Sequence, residues 1–288
     1  MQLCGSALEA RAREVALELV LAFPWGEHDV VPAPKGFDGR SVLHLAAGLV
    51  LDELASVTRR SSPGLPVSTQ LVVGRPVDVL LAEAARAQLV CVGSHGTGML
   101  SDLVLGSTTA ALVQRARYPV LAVPGPTRST IERAGVVVGL DGGEGDRELA
   151  EFALSAAAAR GCDLIAVRAW EHTVPGSAGV LDPLVDEGTA QRREEDSLGD
   201  ALAVAVAAHP GVPVRSIVER APAARLLLDA SLTVELLVVG HRRRHWGRLG
   251  SVAHATVHRA GCPVAVVPLP ARGDLDRTPA PTRARASS

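Results

Sequence analysis

Large aromatic side chains are nearly missing from this chain. Of its 288 residues, 2% are aromatic, contributed by three Trp, three Phe and one Tyr. With a hydrophobic content of 47%, its cores must therefore be built from Ala, Val and Leu. Small apolar residues of this kind suit a parallel sheet covered by small-residue helices. Lysine is reduced to Lys35, so no other lysine is available for catalysis. The net charge is −2, without the positive excess of a general nucleic-acid binder. Cysteine is limited to Cys4, Cys91, Cys162 and Cys262. No two of them have metal-ligand spacing, and three sit in or beside expected strands, so buried thiols in a reducing compartment are expected. No uninterrupted apolar run approaches the ~18 residues of a membrane span. The apolar stretch 15–23 carries Glu18 and lacks the basic leader and cleavage site of a signal peptide. These absences predict a cytosolic protein that binds neither nucleic acid nor membrane.

The most informative stretch is 88–124, QLVCVGSHGTGMLSDLVLGSTTAALVQRARYPVLAVP. Leu89-Val90-Cys91-Val92 has the length and β-branched content of a buried parallel strand. Gly93 ends it, and Gly96 and Gly98 keep the following turn free of Cβ atoms. Gly106-Ser107 opens an expected helix over 107–117. Pro119 breaks the chain before a second strand, 120–123. A strand, a glycine-lined loop and a helix N-terminus together make an anion cradle. Backbone N–H groups can approach an anion closely there, and the helix dipole favours negative charge. Ser107 and Thr108 add hydroxyl donors.

The chain repeats itself, as about two domains' worth of residues would allow. ELLVVG ending at Gly240 matches QLVCVG ending at Gly93, an offset of 147 residues. Pro213-Val214 and Ala169-Trp170 match Pro66-Val67 and Ala22-Phe23 at the same offset. Gly250-Ser251, Pro263 and Pro268 match Gly106-Ser107, Pro119 and Pro124 at 144, so the second glycine loop is three residues shorter. The second copy predicts strands at 134–140, 163–170, 214–218, 235–239 and 264–267. Helices are expected between them at 147–160, 189–208, 223–231 and 251–259, the alternation of an open parallel α/β sheet. The first copy begins partway through this pattern. Residues 4–13 read as the tail of its first helix, followed by strands at 14–23 and 67–73 and helices at 40–59 and 77–87. The counterparts of Gly139 and Asp141 would precede Met1, so this copy is expected to lack strand one. Two resolutions are expected as alternatives: either the native polypeptide starts upstream, or strand two closes against strand four. The domains are therefore placed at 1–126 and 132–270, with a polar, proline-containing disordered tail at 271–288.

The spacing Gly93-x2-Gly96-x9-Gly106-Ser107 resembles the nucleotide-phosphate motif of the universal stress protein family, in its ATP-binding branch. It is neither a Walker loop nor a Rossmann fingerprint. The resemblance spans about 5–270. It implies two tandem open parallel sheets of the adenine nucleotide alpha hydrolase-like type, strand order 3-2-1-4-5, with ATP at the carboxyl ends of the strands. It also implies antiparallel pairing of the two copies through their last strands, and a homodimer of such chains. Family members hold the nucleotide through an Asp after strand one, a residue ending strand two, and the glycine loop. By resemblance the first copy supplies Ala22, Val92, Gly93, Gly96, Gly106, Ser107 and Thr108, but no strand-one Asp. The second supplies Asp141, Ala169, Val239, Gly240, Gly250, Ser251 and Val252. Its second glycine position is Arg243, where bulk would obstruct a phosphate cradle. Charge from Arg242, Arg243 and Arg244 is a possible compensation. The first site is the better ATP candidate on this reading, provided that its sheet closes.

Other chemistry is sparse. His241 and His245 are four apart, as are His254 and His258, and the latter pair shares a helical face. No HExxH pattern or third ligand supports a metal. His95 lies beside the cradle. No GxSxG elbow or nucleophile–base pair is evident. The leading expectation is a tandem universal stress protein that binds ATP, with Mg, as a cytosolic stress-response regulator with at most slow hydrolysis. The rival is a degenerate scaffold acting through protein contacts. A third reading, an ATP-consuming relative with an SGGxDS loop, finds only the poor match GLDGGEGD.

Overall fold

The computed structural model describes residues 2–26, 29, 36, 38–94, 105–125, 134–171, 187–242 and 249–270. The first copy runs α1 (Gln2–Ala12), β1 (Leu17–Phe23), α2 (Gly39–Ser61), β2 (Val67–Val73), α3 (Pro76–Ala84), β3 (Val90–Gly93), α4 (Ser107–Arg115) and β4 (Val120–Val123). The second runs β5 (Val136–Leu140), α5 (Asp146–Arg160), β6 (Leu164–Trp170), α6 (Glu187–Ala208), β7 (Val214–Arg220), α7 (Ala223–Ala230), β8 (Leu236–Arg242), α8 (Ser251–Arg259) and β9 (Val264–Leu269).

Seven strands form one sheet in the order β3-β4-β9-β8-β5-β6-β7. Within the second copy all pairs are parallel, and its own strands lie in the order 3-2-1-4-5. The copies join where β4 meets β9 antiparallel, with Val120 opposite Val266 and Ala122 opposite Val264. Each last strand thereby covers the edge the other would expose.

The central strands β4, β5, β8 and β9 are mostly apolar because both of their faces are buried, whereas the edge strand β7 (VRSIVER) alternates with charged, exposed residues. Side chains alternate across the sheet. Val136, Val138, Leu236, Val238, Ala265 and Val267 pack with α5 and α6. Val137, Leu237, Val239, Val264 and Val266 pack on the other face with α4, α7 and α8. The sheet-facing side of α5 is Ala150, Ala153, Leu154, Ala156 and Ala157, small residues that let the helix lie close. Gly161, in the left-handed conformation at φ 62°, stops it. α1 lies against α5, tied by the buried Glu9, which pairs with both Arg13 and Arg160.

The first copy departs from one expectation. Strand two does not close against strand four: β1 pairs only with β2, as a separate two-stranded sheet, and β3 pairs with β4. In the order 3-2-1-4-5 these strands are two strand spacings apart, roughly 10 Å. α1 already touches both β1 and β3, while α3 touches β1 and α4. Drawing the strands together would pull those helices off their surfaces. A second departure matters for the site. β8 continues past Gly240 through His241 and Arg242, which lie opposite Pro268 and Leu269 of β9, whereas the sequence pattern ended that strand at 239.

Candidate functional site

The carboxyl ends of the second copy's parallel strands open into a cavity of about 600 Å³. Every residue picked from that copy lines it: Asp141, Ala169, Val239, Gly240, Gly250, Ser251 and Val252. The strand order brings them together. β5, β6 and β8 are neighbours, so the turn after β5, the end of β6 and the end of β8 converge. The N-terminus of α8 closes the other side, with Gly250 at the N-cap and no side-chain cap on its amides. Gly250 itself lines the cavity, and a Cβ on it would meet nothing within 4 Å. Backbone donors without a side-chain cap at a helix N-terminus suit an anion.

The acidic turn is built by two carboxylates and two arginines. Asp146, the first residue of α5, folds back so that its oxygens accept from the N–H groups of Asp141 (3.3 Å) and Gly142 (2.7 Å). Arg168 of β6 reaches Asp146 at 3.6 Å and pairs with Glu194 of α6 at 2.6 Å. Asp141 accepts from Gly143 N–H at 3.0 Å and from Arg242 Nη2 at 2.8 Å, and Arg242 Nη1 bonds its other oxygen. The glycines of GLDGG follow from this layout. Gly142 has φ 75°, and a Cβ there would run into the Arg168 guanidinium; one on Gly143 would run into Arg242. At Gly240 a Cβ would press on Leu269 and Leu149, so glycine lets β9 close over the cavity.

Charge in the turn is unevenly shared. The hydrogen bond from Arg242 holds Asp141 below the usual carboxylate range. Burial, and then the neighbouring Asp141 charge, push Asp146 up to about 6. His241 is buried in the cavity wall, and Leu227, Leu249 and Ala223 supply apolar lining.

The first copy gathers only its phosphate side. Thr109 Oγ1 donates to Gly93 C=O at 2.6 Å, and Gly106 N–H donates to Ser94 C=O at 2.9 Å. These bonds pin the N-terminus of α4, and with it Ser107 and Thr108, beside the end of β3 and Val92. Ala22 lies on β1, in the separate sheet. Since the sheet does not close between β1 and β3, the condition for preferring this site fails, and the second site is the better formed. Gly96 and His95, and likewise Arg243, Arg244 and His245, lie outside the described residues. His254 and His258 stack with ring centroids 4.3 Å apart. Among the described residues no cluster of three or more metal-capable side chains occurs.

Several site residues escaped the sequence reading. Asp146 carries a legible signal, an acidic residue opening a helix just after a glycine turn. Thr109 and Ser94 carry none, since their roles depend on two distant segments meeting. Arg242, a candidate only for compensating charge in the shortened loop, is bound to Asp141.

A sequence model of the Universal stress protein family matches residues 3–124 and again 134–268. Universal stress proteins of Mycobacterium bovis and Mycobacterium tuberculosis are each 32% identical over 284 residues, covering 91% of this chain and 90% of the relative. The crystal structure of a universal stress protein from Archaeoglobus fulgidus superposes with a TM-score of 0.64 at 16% identity, covering 93% of each chain.

Proposed function

The chain belongs to the universal stress protein family in tandem form, and from that premise we propose that its second copy binds ATP and that the protein works as a cytosolic stress-response regulator rather than as an enzyme. The observation that carries this reading is the convergence of all seven second-copy residues on one cavity of about 600 Å³, within the range of small-molecule sites. The adenosine part would sit between Asp141, Ala169 and Val239. The phosphates would meet Gly240, Gly250, Ser251 and the N–H groups opening α8, with Arg242 within reach of both ends. Mg would arrive on the phosphates, since carboxylates of the turn are engaged by Arg242, Arg168 and backbone N–H groups. The same engagement argues for slow hydrolysis at most, because a general base must be free to take a proton.

In this reading the first copy is a weaker site, keeping Val92, Gly93, Gly106, Ser107 and Thr108 for phosphate without an enclosing adenosine side. The rival, a scaffold without nucleotide, is favoured by the Arg242–Asp141 pair, which already satisfies the acidic group a nucleotide would use. Calorimetric titration of the full chain with ATP separates the two. Saturable binding that is lost in Gly250→Val, with the unfolding midpoint little changed, supports the nucleotide site. Gly250 has φ −60° and ψ 152°, a conformation any residue adopts, so the substitution fills the mouth without straining the fold. No heat of binding up to millimolar ATP would leave the scaffold reading standing.

A further inference from the structure

Arg242, the last residue of β8, reaches over to Asp141 in the turn after β5, and both residues line the cavity. The pairing is a fork: Nη2 donates to Oδ1 at 2.8 Å, and Nη1 donates to Oδ2. Two parallel hydrogen bonds of this kind engage both carboxylate oxygens and both terminal nitrogens at once. The two partners differ in how firmly they are held. The turn is fixed by its own bonds: Asp146 accepts from the N–H groups of Asp141 and Gly142, and Gly143 N–H donates to Asp141 Oδ1. Arg242 rests its guanidinium against Gly143, where a Cβ would displace it. It sits at the end of a long side chain with many rotamers. The arginine, rather than the turn, is the part that can move.

Neither partner is deeply buried. The Asp141 side chain is 63% exposed and that of Arg242 27%. Water competes for both, so the fork opens readily. Each half of a nucleotide has a reason to open it. A hydroxyl or amino group of adenosine that donates to Asp141 needs an oxygen that Arg242 occupies. A phosphate at the N-terminus of α8 competes for the guanidinium, since arginine matches phosphate as well as carboxylate. Adenosine alone opens the fork and leaves Arg242 without an anion. A phosphate alone opens it and leaves Asp141 without its cation, next to the Asp146 carboxyl. A molecule that carries both groups opens the fork once and satisfies both partners.

We propose that Arg242 is a specificity-determining residue of this site, a latch on Asp141 that phosphate releases, so that the cavity takes phosphorylated adenosine in preference to the free nucleoside. This rests on the nucleotide reading above and adds to it a coupling between the two halves of the ligand. Because the opening is shared, each half strengthens the binding of the other by the same factor. For a pair as exposed as this one the factor is about fivefold. The latch belongs to the second copy: at the offset of 147 the counterpart of Arg242 is His95.

Calorimetric titration of the full chain with adenosine, in magnesium-free buffer with and without pyrophosphate, tests the proposal. Pyrophosphate should lower the dissociation constant of adenosine about fivefold, and adenosine should lower that of pyrophosphate equally. In Arg242→Ala the coupling should vanish. Adenosine alone should bind that variant about fivefold more tightly than the wild type, because Asp141 is free from the start. A pair that merely shapes the turn predicts the reverse, an adenosine affinity that falls when Arg242 is removed. Adenosine binding indifferent to pyrophosphate overturns the latch, as does a coupling that survives in Arg242→Ala. Adenosine that binds in none of these titrations, where ATP binds, overturns it as well. In each of these cases ATP binding that is lost in Gly250→Val keeps the nucleotide reading, whereas a chain that binds no ATP loses both.

Discussion

Asp146 makes the fold of the second copy less stable as pH rises, and the effect can be isolated. Burial and the Asp141 charge raise its folded pKa from an ordinary 3.8 to about 6. A carboxyl whose folded pKa is raised holds a proton in the native state that the unfolded chain has released. Its contribution therefore favours folding below the unfolded value and is lost as pH climbs through the interval up to about 6. At ~1.4 kcal/mol per pH unit the interval is worth about 3 kcal/mol at most, and the polar cavity mouth brings the expectation to roughly 2 kcal/mol. Asp141 stays out of this window, because Arg242 holds its pKa below the usual range and its stabilising pairing is lost only in stronger acid. Asp146→Asn keeps the shape and one acceptor but cannot titrate. Its amide would face the N–H of Gly142, so a constant loss of stability is expected at every pH. The readout is the slope. Urea unfolding of both proteins from about pH 4 to about pH 7 should show the wild type losing roughly 2 kcal/mol relative to the variant. A flat difference, or a wild type that gains on the variant as pH rises, would refute the assignment.

Arg242→Ala should cost no more than about 1 kcal/mol of stability, because Asp141 is largely exposed. It should lower ATP affinity relative to adenosine by about tenfold, since a phosphate loses an arginine while the adenosine side gains a free carboxylate; paired calorimetric titrations read the ratio, and an unchanged ratio would remove Arg242 from the phosphate side. Gly161→Ala should lose roughly 1 kcal/mol through its positive φ alone, as nothing lies within 4 Å of the added methyl. Gly161→Asn should lose less than Ala, and equal losses in urea melts would contradict a conformational cause.

Much of this architecture is legible from residue pattern. The offset of 147 between β1 and β6, and between β2 and β7, survives without slippage in the structure. Apolar runs bounded by glycine and proline located the sheet, because parallel strands buried on both faces leave little room for polar residues. Of the site, the seven second-copy residues follow from the resemblance to the family's motif, and the structure gathers them where the ends of β5, β6 and β8 meet the N-terminus of α8. The preference for the first site failed for a reason outside any local pattern: whether β1 can reach β3 depends on where α1 and α3 pack. The pairing of Arg242 was hidden for a similar reason. It appears only because β8 runs past Gly240 and carries the guanidinium to Asp141. The exposed apolar face of α2, with Leu45 and Leu49, was hidden in the same way, since judging only uninterrupted apolar runs passes over a helix whose mean hydropathy is high with few charges.

These differences separate what the fold constrains from what it leaves free. Positions 51, 55 and 58 of α2 and their counterparts on α6 are buried alike, because each covers the same place on its strands. Outward positions and loops carry no such constraint, and there the copies diverge. One copy keeps the Thr109–Gly93 tie at a helix N-terminus and turns an apolar helix outward; the other keeps the acidic turn and encloses a cavity. The antiparallel β4–β9 junction makes the two lobes continuous through one sheet, so neither can unfold its last strand without exposing the edge of the other. A duplicated domain joined in this way can leave one site incomplete, since the stability of the shared sheet depends on the strands and not on the loops. The loops and outward faces of the two copies can then change independently, on surfaces that the common core does not use.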